Sequence, residues 1–281
     1  MTKACADVTA IIPFFNSSGT LQRALDSVTQ QTSRVREIIV VDDASSPEES
    51  RLAAAIVAET PHARLIVLPS NGGAGEARNI GWDAAQGRWV AFLDADDVWH
   101  SRKIETQLRA AERTGPDTVL VAAGWGQVGD QAALDSLPVV DDAPTRRLSK
   151  RRFLLINPIG TSTAMVRQDI PVRFPAGRRY SEDHETWLLI LALGRPMIRI
   201  DSQLVGTFKN PYGESGLSSA IWRMIAGEYQ AFRGAHKAGA LRLDEMIFGM
   251  AVLTARVCVR LIEMGSRRLR TRIQGRAGHR K

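Results

Sequence analysis

The chain has 281 residues, 44% hydrophobic and 24% charged, enough for one large or two small domains around a sizeable core. This composition excludes disorder, collagen-like repeats and coiled coil, and the longest apolar run, Trp187–Leu193, is far short of the roughly 20 residues that span a bilayer. Of the 37 basic side chains, seven stand in Gly265–Lys281 without an acid, so the other 30 balance the 30 acids and the net charge of +7 belongs to a tail. A body of zero net charge excludes a nucleic-acid-binding surface by composition. The tail, residues 265–281, is expected to be flexible and to be drawn to an anionic membrane surface. Only Cys5 and Cys258 are cysteines, so no disulfide framework is expected. With no basic-then-apolar leader at the start, the expected location is cytoplasmic, peripheral at the membrane face.

In chain order, Val8–Phe14, Glu37–Val41, Arg64–Leu68, Trp89–Leu93 and Thr118–Ala123 are short runs rich in Val and Ile that predict strands. Between them, Leu21–Gln31, Glu48–Glu59, Glu76–Ala85 and Arg102–Arg113 have helical spacing. This alternation predicts an α/β fold with a mainly parallel sheet, helices on both faces, and ligands at the carboxyl ends of the strands. The rhythm is lost over Gly124–Arg147, which reads as a boundary or a long loop. Thr161–Val166 then reads as a strand, Ser181–Leu193 as a helix, and Pro196–Ile200 and Leu204–Lys209 as two strands. From Leu217 to Met264 the chain reads as helical, with a break near Gly239.

Four strand ends carry suggestive polar residues: Pro13-Phe14-Phe15-Asn16, Asp42-Asp43-Ala44-Ser45, the glycine-rich Asn71–Gly81, and Asp94-Ala95-Asp96-Asp97. Asp94 and Asp96, two residues apart on one strand end, project to the same side and can hold a hard divalent cation, Mg²⁺ or Mn²⁺, with phosphate oxygens. The loop around Gly73 lets backbone approach a diphosphate, Arg78 offers a cation, and Asp42 and Asp43 can accept hydrogen bonds from a base or ribose. The composite is a metal–nucleotide–diphosphate site. Nucleotidyl transfer is one reaction that uses similar sheets, glycine loops and metal-binding acids. A non-catalytic membrane or nucleic-acid adaptor working through the tail is another reading. Downstream, Ser181-Glu182-Asp183 opens a helix, where Ser181 can cap and the acids can answer the helix dipole.

In order and spacing, I-I-P-F-F-N, V-V-D-D-A-S, N-G-G-A-G-E-A-R-N-I-G and F-L-D-A-D-D resemble the donor half of glycosyltransferase family 2 over about Val8–Trp99. The resemblance implies a GT-A fold and inverting transfer of a sugar from a nucleotide-sugar, a UDP-hexose, to a hydroxyl of a saccharide or lipid-linked saccharide in bacterial polysaccharide biosynthesis. It implies that Pro13 and Asn16 line the nucleoside pocket, Asp43 bonds the uracil edge, Arg78 shapes the donor pocket, and Asp94 and Asp96 bind ribose and the diphosphate-bound metal. Glu182-Asp183-x-x-x-Trp187 resembles the acceptor-side motif of the same family. Carried over, Asp183 is the general base and Glu182 its acceptor-side neighbour. Trp187 is expected in the core, and His184 in solvent. The implied division is 1–125 for the donor half, 126–220 for the acceptor half, and 221–264 for C-terminal helices before the tail.

Overall fold

The computed structural model describes residues 5–140, 143–208 and 217–259. The alternation of the first hundred residues folds as read. Strands β1 (Cys5–Phe14), β2 (Arg34–Asp42), β3 (Ala63–Val67) and β4 (Trp89–Phe92) pair in parallel in the spatial order β3-β2-β1-β4. Their crossovers are α1 (Ser18–Thr29), α2 (Pro47–Ala58) and α3 (Ala74–Asp83). The strands are apolar on both faces because helices cover both. From β1, Val8, Ala10, Ile12 and Phe14 enter one core layer with Leu21 and Leu25 of α1, while Ile11 enters the opposite layer with Trp82 and Phe92.

The sheet extends to nine strands among the described residues. Beyond β4 come β8 (Met165–Arg167), β6 (Leu120–Gln127), β9 (Met197–Thr207) and β5 (Asp97–Trp99), and β7 (Thr145–Arg147) also pairs with β9. The β6–β9 pair is parallel, whereas β8 runs antiparallel to β4 and β6, and β5 and β7 antiparallel to β9. Helix α4 (Lys103–Thr114) precedes β6; α5 (Gln131–Asp135), α6 (Lys150–Leu155) and α7 (Glu182–Ala192) follow it.

Several sequence expectations are corrected here. The stretch read as a loop over Gly124–Arg147 holds the end of β6, α5 and β7, elements too short to show a period. The strand expected over Thr161–Val166 begins instead as a 3₁₀ turn, Thr161–Thr163. There the Gln107 side-chain amide donates to the carbonyls of Val121 and Thr163, taking a carbonyl that a ladder would use. The two strands expected over Pro196–Lys209 are one, β9, whose polar middle crosses a bulge opposite Gly124. A Cβ on Gly124 would stand 2.8 Å from the Ser202 carbonyl oxygen, so the bulge needs glycine there.

At the C-terminal end, α8 (Leu217–Lys237) and a helix over residues 243–259, α9, flank Gly239, whose φ of +77° supplies the expected break. Residues 260–264, the basic tail and Lys209 lie outside the described residues. No helix among the described residues is long and apolar enough to cross a membrane.

Candidate active site

The carboxyl ends of β1, β2 and β4 form one floor, as expected for a sheet of this topology. A cleft of about 250 Å³ opens there, lined by Pro13, Phe15, Asp43, Arg78, Asp94 and Asp96 among others. A second cleft, of about 300 Å³, lies across the Asp94–Asp96 turn and contains Asp97, Trp125, Thr161, Ser162, Asp183 and Thr207. Asp94 and Asp96 line both clefts, so the D-x-D turn is the wall they share.

The acidic turn is held from behind by Ser162. Its hydroxyl accepts from the Asp94 N–H at 3.1 Å and donates to Asp97 at 2.6 Å. Burial, then the neighbouring Asp94 carboxylate, push the Asp97 carboxyl up to about 6. Crowded carboxylates of this kind are hard oxygen donors facing a cleft, and they suit a divalent cation that draws its other ligands from phosphate and water. Among the described residues no group of three or more acidic, His or Cys side chains is arranged to hold a metal alone.

Arg78 is buried, and it is spent on carboxylates. It donates to Asp94 at 2.7 Å and to Glu182 at 3.0 Å. Burial lowers its basicity, but the two carboxylates outweigh burial and the guanidinium is raised overall. Glu182 therefore lines neither of these clefts; it anchors Arg78.

Asp183 stands in the first turn of α7. Its Oδ1 accepts from the His184 N–H at 2.8 Å and its Oδ2 from the Asn157 side-chain amide at 2.9 Å. Burial, and then the adjacent Glu182 charge, push it up to about 6, into the range of a poised base. Ser181 does not cap this helix. It sits at φ +56°, a strained conformation for a non-glycine residue, and its side chain makes no capping bond. His184 is buried, which corrects the expectation of solvent. Burial lowers it to about 4, so it is neutral, with its Nε2–H facing the Phe153 carbonyl. Trp187 is fully buried in the core, as read.

The other donor-side residues divide. Pro13 and Asp43 line the first cleft; Asn16, Asp42 and Gly73 do not. Both Asp43 oxygens accept backbone N–H groups, from Gly72 at 2.7 Å and Gly73 at 2.8 Å, so this carboxylate fixes the glycine loop. Gly73, at φ +91°, turns the chain into α3. Asn16 is also in the left-handed region and clamps the β2–α2 turn, accepting from the Ser46 N–H and donating its own N–H to the Ser45 hydroxyl. Asp42 is fully buried and accepts from the Ser45 N–H. The sequence does not single out Trp125, Ser162 and Thr207, which only long-range folding brings to the acidic turn, or Asn157, which it brings to Asp183.

Residues 9–170 match the model of glycosyl transferase family 2, and the chain belongs to that family. It is 34% identical over 168 residues to the succinoglycan biosynthesis protein ExoO of Rhizobium meliloti (strain 1021). That match covers 59% of this chain and 44% of ExoO, so the chain spans less than half of that relative's length. Its fold is similar to the crystal structure of S. aureus TarS 1-349 in complex with UDP-GlcNAc, with a TM-score of 0.64 at 17% identity, over 88% of this chain and 71% of that one. It is similar also to the mannosyltransferase PcManGT from Pyrobaculum calidifontis in complex with GDP-Man and Mn²⁺, with a TM-score of 0.60 at 18% identity, over 92% and 79%. The architecture is thus the GT-A type that the sequence resemblance implied.

Proposed function

We propose that this protein transfers a sugar from a nucleotide-sugar, a UDP-hexose, to a hydroxyl of a saccharide or lipid-linked saccharide, with inversion, in bacterial polysaccharide biosynthesis. The observation that carries this reading is the pair of clefts divided by Asp94 and Asp96, with a raised carboxylate, Asp183, in the second cleft only. One cleft receives the nucleotide diphosphate, and the other presents the acceptor hydroxyl to a base. Residues 1–125 serve as the donor half and 126–220 as the acceptor half.

The base is Asp183. Its carboxylate takes the proton of the acceptor hydroxyl as that oxygen attacks the anomeric carbon and the bond to the nucleotide diphosphate breaks on the opposite face. Asn157 holds one of its oxygens, which fixes the carboxylate plane. Asp94 and Asp96 would hold Mg²⁺ or Mn²⁺, which when bound supplies positive charge to the departing diphosphate. Asp43 and Arg78 act indirectly, by setting the glycine loop and the acidic turn. That ExoO is a succinoglycan biosynthesis protein supports a saccharide product, and that the TarS structure holds UDP-GlcNAc makes a UDP-sugar the first donor to test.

The test is incubation of the full chain with UDP-sugars and candidate acceptors, with and without a chelator. Release of UDP with a glycosylated product supports the reading. Release of pyrophosphate would mark nucleotidyl transfer instead, and full activity in chelator would remove the metal from the account.

A further inference from the structure

Helix α9 is apolar on two sides. Its inner side packs on the core, where Leu253 is buried and Met246, Met250 and Val257 contact the same cluster as Phe232. Its outer side carries Leu243, Ile247, Ala251, Ala255 and Val259, one every fourth residue, and all five are exposed. Leu243, Ile247 and Val259 are each 56% exposed, and Phe248, beside the stripe, 50%. The apolar residues of this helix are therefore split between core (Met250, Leu253, Val257) and solvent (Leu243, Ile247, Val259). A helix packed only on its own domain turns mainly polar residues outward; here Asp244, Thr254 and Arg256 are exposed, yet the aliphatic stripe among them is uncovered as well.

Beside α9 lies α6. The two are joined by Lys150 to Glu245 at 3.2 Å and by Arg256, which donates to the Leu155 carbonyl at 3.0 Å. Next to α6, Arg146, Arg147, Arg151, Arg152 and Arg199 line one groove of about 260 Å³ that contains no acidic side chain, and Arg146 is held by Asp201 on β9. Guanidinium forks arranged beside an exposed apolar helix face match an anionic lipid interface, phosphates for the arginines and acyl boundary for the aliphatic stripe.

We propose that β7, α6 and the outer face of α9 form a docking surface for an anionic lipid bilayer, separate from the basic tail. The surface is also linked to chemistry. Two residues after α6 comes Asn157, which holds Asp183, so a bilayer seated on this surface brings lipid-linked acceptors to the side of the molecule that carries the base. That last consequence rests on the proposed function; the docking itself does not.

The experiment is co-sedimentation of the full chain with phosphatidylglycerol–phosphatidylethanolamine vesicles and with phosphatidylcholine vesicles, the tail being kept in every variant. The wild type is expected to sediment with the anionic vesicles only. Arg147→Glu/Arg151→Glu/Arg152→Glu should weaken that binding by about tenfold or more. Ile247→Gln/Phe248→Gln should lose the fraction that survives high salt. Thermal unfolding of each variant near the wild-type temperature shows that it is folded. Wild-type binding by both variants would overturn the proposal and assign any membrane affinity to the tail; no binding by the wild type would overturn it outright. A wild-type dimer that Ile247→Gln/Phe248→Gln converts to monomer without change in vesicle binding would show that a second copy covers this face. None of these readouts depends on sugar transfer, so a failed docking surface and a failed catalytic reading remain distinguishable.

Discussion

Arg78 on α3 bonds Asp94 at 2.7 Å and Glu182 at 3.0 Å at once, tying the end of β4 to the first turn of α7. The two family motifs, far apart in sequence, are thereby one structural unit, and the acidic turn is positioned relative to the Asp183 carboxylate through a single guanidinium.

Removing that guanidinium takes the shared cation from two partly buried carboxylates, Asp94 and Glu182. Arg78→Ala is expected to cost about 3 kcal/mol, the lower end for breaking a buried pair, because Asp94 retains some solvent. Arg78→Lys should restore only part of this, since a compact ammonium lacks the rigid planar fork whose two ends reach the two carboxylates. Urea unfolding measures both. Equal stability of Arg78→Lys and wild type would show that the fork carries nothing.

Gly81 lies where α3 crosses β1 and β2. A Cβ there would stand 2.6 Å from Ile11 Cγ2 and 3.3 Å from Val41 Cγ2. Gly81→Ala is therefore expected to destabilise by about 1–3 kcal/mol through overpacking, outweighing the helix propensity of Ala. A gain in stability would show that the core there has slack.

Trp125 is 59% exposed in the cleft that holds Asp183, which is an unusual place to leave an indole in solvent. As a stacking face for the acceptor sugar, its loss in Trp125→Ala should raise the acceptor KM about tenfold while UDP affinity is unchanged. A matched fall in UDP affinity would place Trp125 on the donor instead.

Much of this could be read in the chain, because strand–helix alternation and residues beside a strand end are local properties. The D-x-D turn follows from spacing alone, and Pro13, Asp43 and Arg78 do line one cleft beside it. What the chain concealed is non-local. One partner of Arg78 is 104 residues away, so its second task, anchoring the carboxylates of Glu182 and Asp94, cannot be seen in the motif. Likewise the two N–H groups that the loop after β3 offers Asp43, from Gly72 and Gly73, cannot be seen in the motif. Elements of three to six residues, β7 and α6 among them, are shorter than any period that would reveal them.

Asp183 should make stability depend on pH. In the unfolded chain its carboxyl loses its proton near the ordinary value of 3.8; in the folded protein it keeps it up to about 6. Between those values the folded state binds more protons, so this group's contribution to stability falls as pH rises, and the cost is complete above about 6. Asp183→Asn removes that charge and should be more stable than wild type at pH 7.5, on the order of 1–2 kcal/mol, with the difference vanishing below pH 4. Thermal unfolding at the two pH values checks this. A difference independent of pH would mean that the carboxylate is not strained by its surroundings.

The most direct test of the account is the turnover of Asp183→Asn with a UDP-sugar and an accepted saccharide, alongside UDP affinity by calorimetry. The variant keeps the size of the side chain and removes only the proton acceptor, so turnover should fall roughly 10²–10⁴-fold while UDP affinity stays at the wild-type value. Turnover within a few-fold of wild type would contradict the assignment of Asp183 as the base and leave it as an acid at a helix start.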